Sequence, residues 1–235
     1  MSLVKICGLR TPETLEAALA AGADMVGFVR FARSPRHVDL ELGRALSREA
    51  AGRARRVLLL VDPTDGELDE TIRAIEPDLV QLHGGESPER VAAIRSATGR
   101  PVMKALPIGE RADLARIDAY RDAADRILLD AKPPKDAALP GGNGIAFDWS
   151  LLGDLPGRAG SATPLCAALG MTAATRPRPD LMLSGGLTPE TVGEAIRISG
   201  LAAVDVSSGV ESRPGEKDTA KIAAFVRAAR AAFAA

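Results

Sequence analysis

Short apolar runs recur along the chain, and a longer stretch with helical spacing follows each of them. The first run, Leu3-Val4-Lys5-Ile6-Cys7, alternates, with Val4 and Ile6 on one side and Lys5 and Cys7 on the other. Gly8 then releases the backbone, and Thr11-Pro12-Glu13 opens a helix with a hydroxyl cap, a proline and an acid near the positive helix end. The same device returns at Ser87-Pro88-Glu89 and Thr188-Pro189-Glu190, and Thr64 with Glu67 has capping-box spacing. The pattern predicts strands at 3–7, 25–29, 56–61, 79–83, 102–105, 126–130, 181–184 and 203–207. Amphipathic helices are expected between and after them, among others at 12–21, 40–51, 67–75, 88–97, 189–198 and 219–232.

Strict strand-then-helix alternation calls for a parallel sheet. Eight units in 235 residues fit a closed (β/α)8 TIM barrel of the α/β class better than an open doubly wound sheet. Most strands start roughly 21–32 residues apart, as a barrel repeat requires. One gap, between Asp130 and Leu181, is about twice that. It begins with a Pro/Gly-rich loop at 132–144 and a short helix near 147–152, read as an active-site loop. The Gly/Pro/Ala/Ser-rich stretch 153–179, which contains Cys166, is expected to be a surface insertion on the far side of one barrel domain spanning 1–235.

Composition narrows the function. Hydrophobic residues make up 46%, charged residues 26% and the net charge is −1, which fits a globular protein and excludes disorder. No basic excess or aromatic face points to nucleic acid. No run reaches membrane length, and the start lacks a charged-then-apolar leader, so a cytoplasmic location is expected. The two cysteines form no CxxC and no Cys/His cluster, so neither a metal nor any other cofactor is expected. The oligomeric state is left open.

In this fold the reacting groups stand at the C-terminal strand ends, and polar residues cluster there. Lys5 and Cys7 share a face, as do Gln81 and His83, and Asp205 and Ser207, while Asp130 follows Ile127-Leu128-Leu129. A thiol beside Lys5 at an open strand end is placed to ionise. Ser184-Gly185-Gly186-Leu187 and Ser207-Ser208-Gly209-Val210 follow the last two strands, where glycines and free N–H groups hold phosphate. Arg30, Arg33 and Arg36 after the second strand suit another anion, most naturally a carboxylate gripped by both arms of Arg36. A thiol, a carboxyl, a phosphate cradle and a cationic loop suit acid–base chemistry on a small sugar phosphate.

Taken together, Lys5-Ile6-Cys7-Gly8, Gly27-Phe28-Val29 with Ser34-Pro35-Arg36, Gln81-Leu82-His83-Gly84 and Leu129-Asp130 resemble phosphoribosylanthranilate isomerase. So do Gly141-Gly142-Asn143-Gly144 with Phe147-Asp148-Trp149, the Ser184–Leu187 turn and Asp205-Val206-Ser207-Ser208-Gly209-Val210-Glu211. The resemblance covers nearly the whole chain in order. It implies a (β/α)8 barrel of tryptophan biosynthesis that turns N-(5-phosphoribosyl)anthranilate into the carboxyphenylamino-deoxyribulose phosphate by an Amadori rearrangement.

By motif, the resemblance makes Cys7 the general base and Asp130 the general acid. It gives Arg36 the anthranilate carboxylate, Gly185, Gly186, Ser208 and Gly209 the phosphate, and Asp205 a place near the ribose. Gln81, His83, Gly142, Gly144 and Ser207 complete the expected substrate contacts. Arg30 and Asn143 depart from the family's usual residues. Two alternatives differ in class: a histidine-pathway or dual-substrate isomerase, which would carry Asp where Cys7 stands, and a non-catalytic phosphate-binding barrel, which would not need both Cys7 and Asp130.

Overall fold

The alternating run at the start of the chain becomes β1 (Leu3–Cys7), and the later apolar runs become β2 (Met25–Arg30), β3 (Arg55–Leu60), β4 (Leu79–Leu82), β5 (Val102–Ile108), β6 (Arg126–Ala131), β7 (Asp180–Leu183) and β8 (Ala203–Val206). A computed structural model of the chain describes residues 2–134, 140–142, 144–153 and 180–235. All eight strands run parallel in sequence order, and β8 pairs with β1 to close the barrel. That seam sets Lys5 opposite Asp205. Apart from Gly153, the expected insertion at 153–179 lies outside the described residues, as do Cys166 and Asn143.

Period-two alternation sorts each strand into an outward and an inward set. Outward residues such as Val4, Ile6, Phe28 and Leu58 pack beneath the helices, with Phe225 of the last helix in the same core. Inward, Met25, Val57, Leu79, Met103, Leu128, Met182 and Ala203 form an apolar floor. Two residues beyond Leu79, Ala203 and Leu3, which packs against the same floor, stand Gln81, Asp205 and Lys5, all buried. One more step brings Cys7, His83 and Ser207 to the mouth. The barrel is thus a filled core whose polarity rises toward its C-terminal end.

Among the described residues the helices are α1 (Pro12–Ala20), α2 (Leu40–Ala50), α3 (Asp65–Ile75), α4 (Pro88–Thr98), α5 (Arg116–Ala119), α6 (Val192–Ser199) and α7 (Thr219–Ala234). Thr11 and Ser87 cap α1 and α4 as their spacing predicts, and Thr64 with Glu67 forms a complete capping box on α3. The third hydroxyl-Pro-Glu motif behaves differently. Thr188 accepts from the backbone N–H of Glu190 and its own N–H donates to Thr191, so a turn is closed first and α6 starts at Val192, not at 189. The fifth unit is also slight, with a 3-10 turn at Arg111–Ala115 leading into α5. A two-stranded hairpin after β8, β9 (Glu211–Arg213) with β10 (Glu216–Lys217), has no counterpart in the strand–helix pattern. His83, Ser184 and Ser207 fall one residue beyond the strands that were expected to end on them.

The inward floor makes a stability prediction. Leu128 is fully buried there beside Met103 and Met182. Leu128→Ala should cost about 2–5 kcal/mol, read as a lower urea midpoint at unchanged slope. A loss below about 1 kcal/mol would mean that the floor collapses around the deletion and is not tightly packed.

Candidate active site

Above the polar layer lies an open cavity framed by the strand ends and the loops after them. The residues that the resemblance gives catalytic or substrate-contact roles all line it: Cys7, Arg36, Gln81, His83, Asp130, Gly142, Gly144, Gly185, Gly186, Asp205, Ser207, Ser208 and Gly209. Phe31, Val29, Leu59 and Val61 add an apolar wall next to Cys7. Among the described residues no cluster of His, Cys, Asp and Glu could hold a metal ion, and no helix is long and apolar enough to cross a membrane.

Cys7 sits at the end of β1, with Gly27 of β2 at its side. A Cβ at Gly27 would come within 2.8 Å of the Cys7 sulfur, so the missing side chain makes the space for the thiol. Below it, Lys5 Nζ donates to Asp205 Oδ1 at 2.7 Å, and Ser184 Oγ to Asp205 Oδ2 at 3.3 Å. Burial alone would pull the Lys5 pKa down, but Asp205 and Cys7 hold it above its usual value. Lys5 therefore remains a cation with its charge largely answered by Asp205. The expectation that the thiol is placed to ionise is corrected by this arrangement, although Lys5 does pull in that direction. Burial pushes the Cys7 thiol up, Asp205 adds to that push, and Lys5 and Lys217 offset only part of it.

Across the barrel, Asp130 Oδ2 lies 3.1 Å from His83 Nε2, and Gln81 Nε2 lies 3.1 Å from His83 Nδ1. With the Gln81 amide set to donate to Nδ1, neutral His83 carries its proton on Nε2 and donates it to Asp130. Asp130 Oδ1 accepts from the Ala131 N–H at 3.0 Å, which fixes the carboxyl plane. The loop behind His83 is pinned by Glu86, which accepts from the N–H groups of Asp62 and Gly84 and pairs with buried Lys104 at 2.9 Å.

The two glycine turns meet. Gly185 and Gly186 have φ of +85° and +64°, a region that L side chains avoid, and a Cβ on Gly185 would strike the Ala131 backbone. Gly209 packs against the Leu187 carbonyl with no room for a Cβ. At Gly185, Gly186 and Gly209, which line the cavity, no side chain covers the backbone.

Arg36 lines the opposite side, but its fork is not free. Nε and Nη2 donate to the two carboxylate oxygens of Glu211 at 2.7 and 2.9 Å, and Nη2 also reaches the Gly142 carbonyl at 3.3 Å. The expected bidentate grip on a ligand through that edge is corrected accordingly, leaving Nη1 as the arm for an anion in the cavity. Glu211 and Lys217, both in the hairpin, were not anticipated as part of the site. Glu211 belongs to the quoted Asp205–Glu211 motif, but no spacing rule sends a residue after β8 back to a loop after β2. Of the other arginines, Arg30 donates to the Val38 carbonyl at 3.0 Å and lies 3.3 Å from His37, while Arg33 sits over the Phe31 ring. Neither lines the cavity.

Comparison with known proteins agrees with this geometry. The sequence profile of the family described as N-(5'phosphoribosyl)anthranilate (PRA) isomerase matches residues 4–228. An N-(5'-phosphoribosyl)anthranilate isomerase of Azorhizobium caulinodans is 58% identical over 233 residues, covering 99% of this chain and 93% of that protein. One from Rhodopseudomonas palustris (strain HaA2) is 52% identical, covering 97% and 96%. Among solved structures, phosphoribosyl anthranilate isomerase from Thermotoga maritima superposes with a TM-score of 0.79 at 35% identity, covering 98% of this chain and all of that one. A phosphoribosyl anthranilate isomerase solved in complex with reduced 1-(o-carboxyphenylamino)-1-deoxyribulose 5-phosphate gives 0.76 at 32% identity, with the same coverage.

The direction of the Cys7 shift is open to test. A thiol held above its ordinary 9.0 is protonated at neutral pH. Its alkylation by iodoacetamide should be slow there and climb about tenfold per pH unit as the thiolate fraction grows. A rate that levels off below about pH 8 would show that Lys5 and Lys217 outweigh burial.

Proposed function

The chain belongs to the N-(5'-phosphoribosyl)anthranilate isomerase family, and from that premise we propose how its residues share out the reaction. The enzyme converts N-(5'-phosphoribosyl)anthranilate to 1-(2-carboxyphenylamino)-1-deoxyribulose 5-phosphate, an intramolecular aldose–ketose rearrangement in tryptophan biosynthesis. One observation carries the assignment of roles: Cys7 on β1 and Asp130 on β6 face the same cavity, between the glycine turns at one side and Arg36 at another.

Asp130 gives its proton to the furanose ring oxygen, the C1–O bond breaks, and the sugar opens to a Schiff base. His83, whose Nε2 lies 3.1 Å from Asp130 Oδ2, holds that carboxyl in place at the edge of the cavity. The Cys7 thiolate then takes the C2 proton and becomes a thiol. The electron pair left on C2 moves into the Schiff base, giving the enolamine, which tautomerises to the ketone with a proton lost from the C2 hydroxyl and one gained at C1. Because burial raises the thiol, the thiolate is the minor form at neutral pH, and kcat/KM rises with pH until the raised pKa is passed.

The turns at Gly185, Gly186, Ser208 and Gly209 receive the phosphate. Asp205, held by Lys5 and Ser184, lies below them toward the ribose. Arg36 offers Nη1 to the anthranilate carboxylate while Glu211 holds its other edge. Gln81, Gly142, Gly144 and Ser207 complete the walls around the substrate. The charged, phosphorylated substrate does not cross a lipid core, which supports a cytoplasmic location beside the steps that make and use it.

Cys7→Ser and Asp130→Asn should each lower kcat by on the order of 10²–10⁴, with KM far less affected. Serine fails as a base because its hydroxyl ionises far above working pH. Near-native turnover by Cys7→Ser would remove Cys7 from the role. Arg36→Ala should raise KM about ten- to a hundredfold, the worth of one charge-assisted hydrogen bond. An analogue lacking the carboxylate should be hardly worse for that variant than for the parent enzyme. Equal losses for both compounds would mean that Arg36 holds the loop and not the substrate.

A further inference from the structure

Glu211 is an acceptor shared by the loop after β2 and the hairpin after β8. Its side chain is 4% exposed and takes four hydrogen bonds: Arg36 Nε at 2.7 Å, Arg36 Nη2 at 2.9 Å, Lys217 Nζ at 2.6 Å and the Gly215 N–H at 3.1 Å. Lys217 Nζ, equally buried, spends its other two donors on Ser207, reaching the carbonyl at 2.9 Å and Oγ at 3.2 Å. Ser207 Oγ in turn donates to the Cys7 carbonyl at 3.2 Å. In a planar trans peptide the carbonyl and the next N–H point in opposite directions. Holding the Ser207 carbonyl on Lys217 therefore turns the Ser208 N–H away from the lysine, and Ser208 lines the cavity.

The charges fit a built network. Burial alone would raise the Glu211 pKa, yet Arg36 and Lys217 hold it below its usual value, so it remains a carboxylate. A buried Arg–Glu–Lys chain with all of these donors placed is costly to desolvate and gains little stability over apolar packing. Its position between two ligand-facing loops gives it another use. The hairpin also fits closely, since a Cβ on Gly215 would meet the Pro35 carbonyl beside Arg36 at 2.5 Å.

We propose that Glu211 is a positioning residue for this reaction: through Arg36 and Lys217 it fixes the distance between the arm that meets the anthranilate carboxylate and the loop that meets the phosphate. This rests on the roles given above to Arg36 and the glycine turns. Neither end of the substrate touches Glu211 in this scheme. It acts by keeping Arg36 turned so that Nη1 faces the cavity, and by keeping Lys217 on the Ser207 carbonyl.

The test uses two dead-end inhibitors, anthranilate for one end and inorganic phosphate for the other. Glu211→Gln keeps the size but puts an N–H₂ group where an oxygen accepted. Inhibition constants for both probes should rise about tenfold or more, and KM should rise with them while kcat falls far less. Glu211→Asp, which restores the charge, should recover part of both affinities. Lys217→Met should weaken phosphate at least as much as Glu211→Gln does. If Glu211→Gln does not fold by circular dichroism, the Lys217→Met and Glu211→Asp results decide. Loss of anthranilate affinity with phosphate unchanged, or unchanged affinity for both, overturns the inference. Arg36→Ala separates this from the underlying reading: if it leaves anthranilate inhibition unchanged, the role of Arg36 itself is wrong.

Discussion

The buried pair of Lys5 and Asp205 is the interaction on which the rest of the barrel's mouth depends. It joins the first strand to the last, at the seam where the sheet closes, with 2.7 Å between Nζ and Oδ1 and both side chains shut away from water. Replacing such a pair by apolar side chains is often neutral or favourable, whereas removing one partner costs about 3–5 kcal/mol. Stability is therefore a poor reason for its presence. Its place is a better one. It lies one step below Cys7 and Ser207 on the same two strands, so it sets both the electrostatics of the thiol and the start of the last glycine turn.

That placement explains why the site can be polar inside a core that is otherwise closely packed. The floor of Met103, Leu128 and Met182 keeps water out from below. Above it, each buried charge is answered locally: Lys5 by Asp205, Lys104 by Glu86, and Arg36 with Lys217 by Glu211. Cys7 is the exception, a thiol whose nearest cation, Lys5, is shared with Asp205. Burial therefore keeps it protonated in the free enzyme. The thiol must therefore lose its proton before it can act as the base, and abstraction of the C2 proton returns it to the neutral form that burial favours.

The barrel was legible in the chain because strand alternation and hydroxyl caps are local signals. Cys7, Asp130, Asp205 and Ser207 were legible for the same reason, since period-two runs show which side chains face inward and which residue ends each strand. The motif Thr188-Pro189-Glu190 misled by three residues, because a hydroxyl cap and a tight turn use the same residue types. The sign of the Cys7 shift was beyond reach, since a neighbouring lysine is visible in sequence but burial is not. The Glu211 claim on Arg36 spans 175 positions, and only the folded chain brings those residues together.

The central claim is that Cys7 removes the C2 proton of the substrate while Asp130 opens the ring. Single-turnover isomerisation, followed by loss of anthranilate-type fluorescence with enzyme in excess and chelator present, tests it most directly when run with substrate deuterated at C2. The account predicts that both substrates are isomerised and that the deuterated one reacts more slowly, with the slowing retained as pH is raised toward the thiol's own pKa. Failure to isomerise either compound, or equal rates for the two across that range, would contradict it.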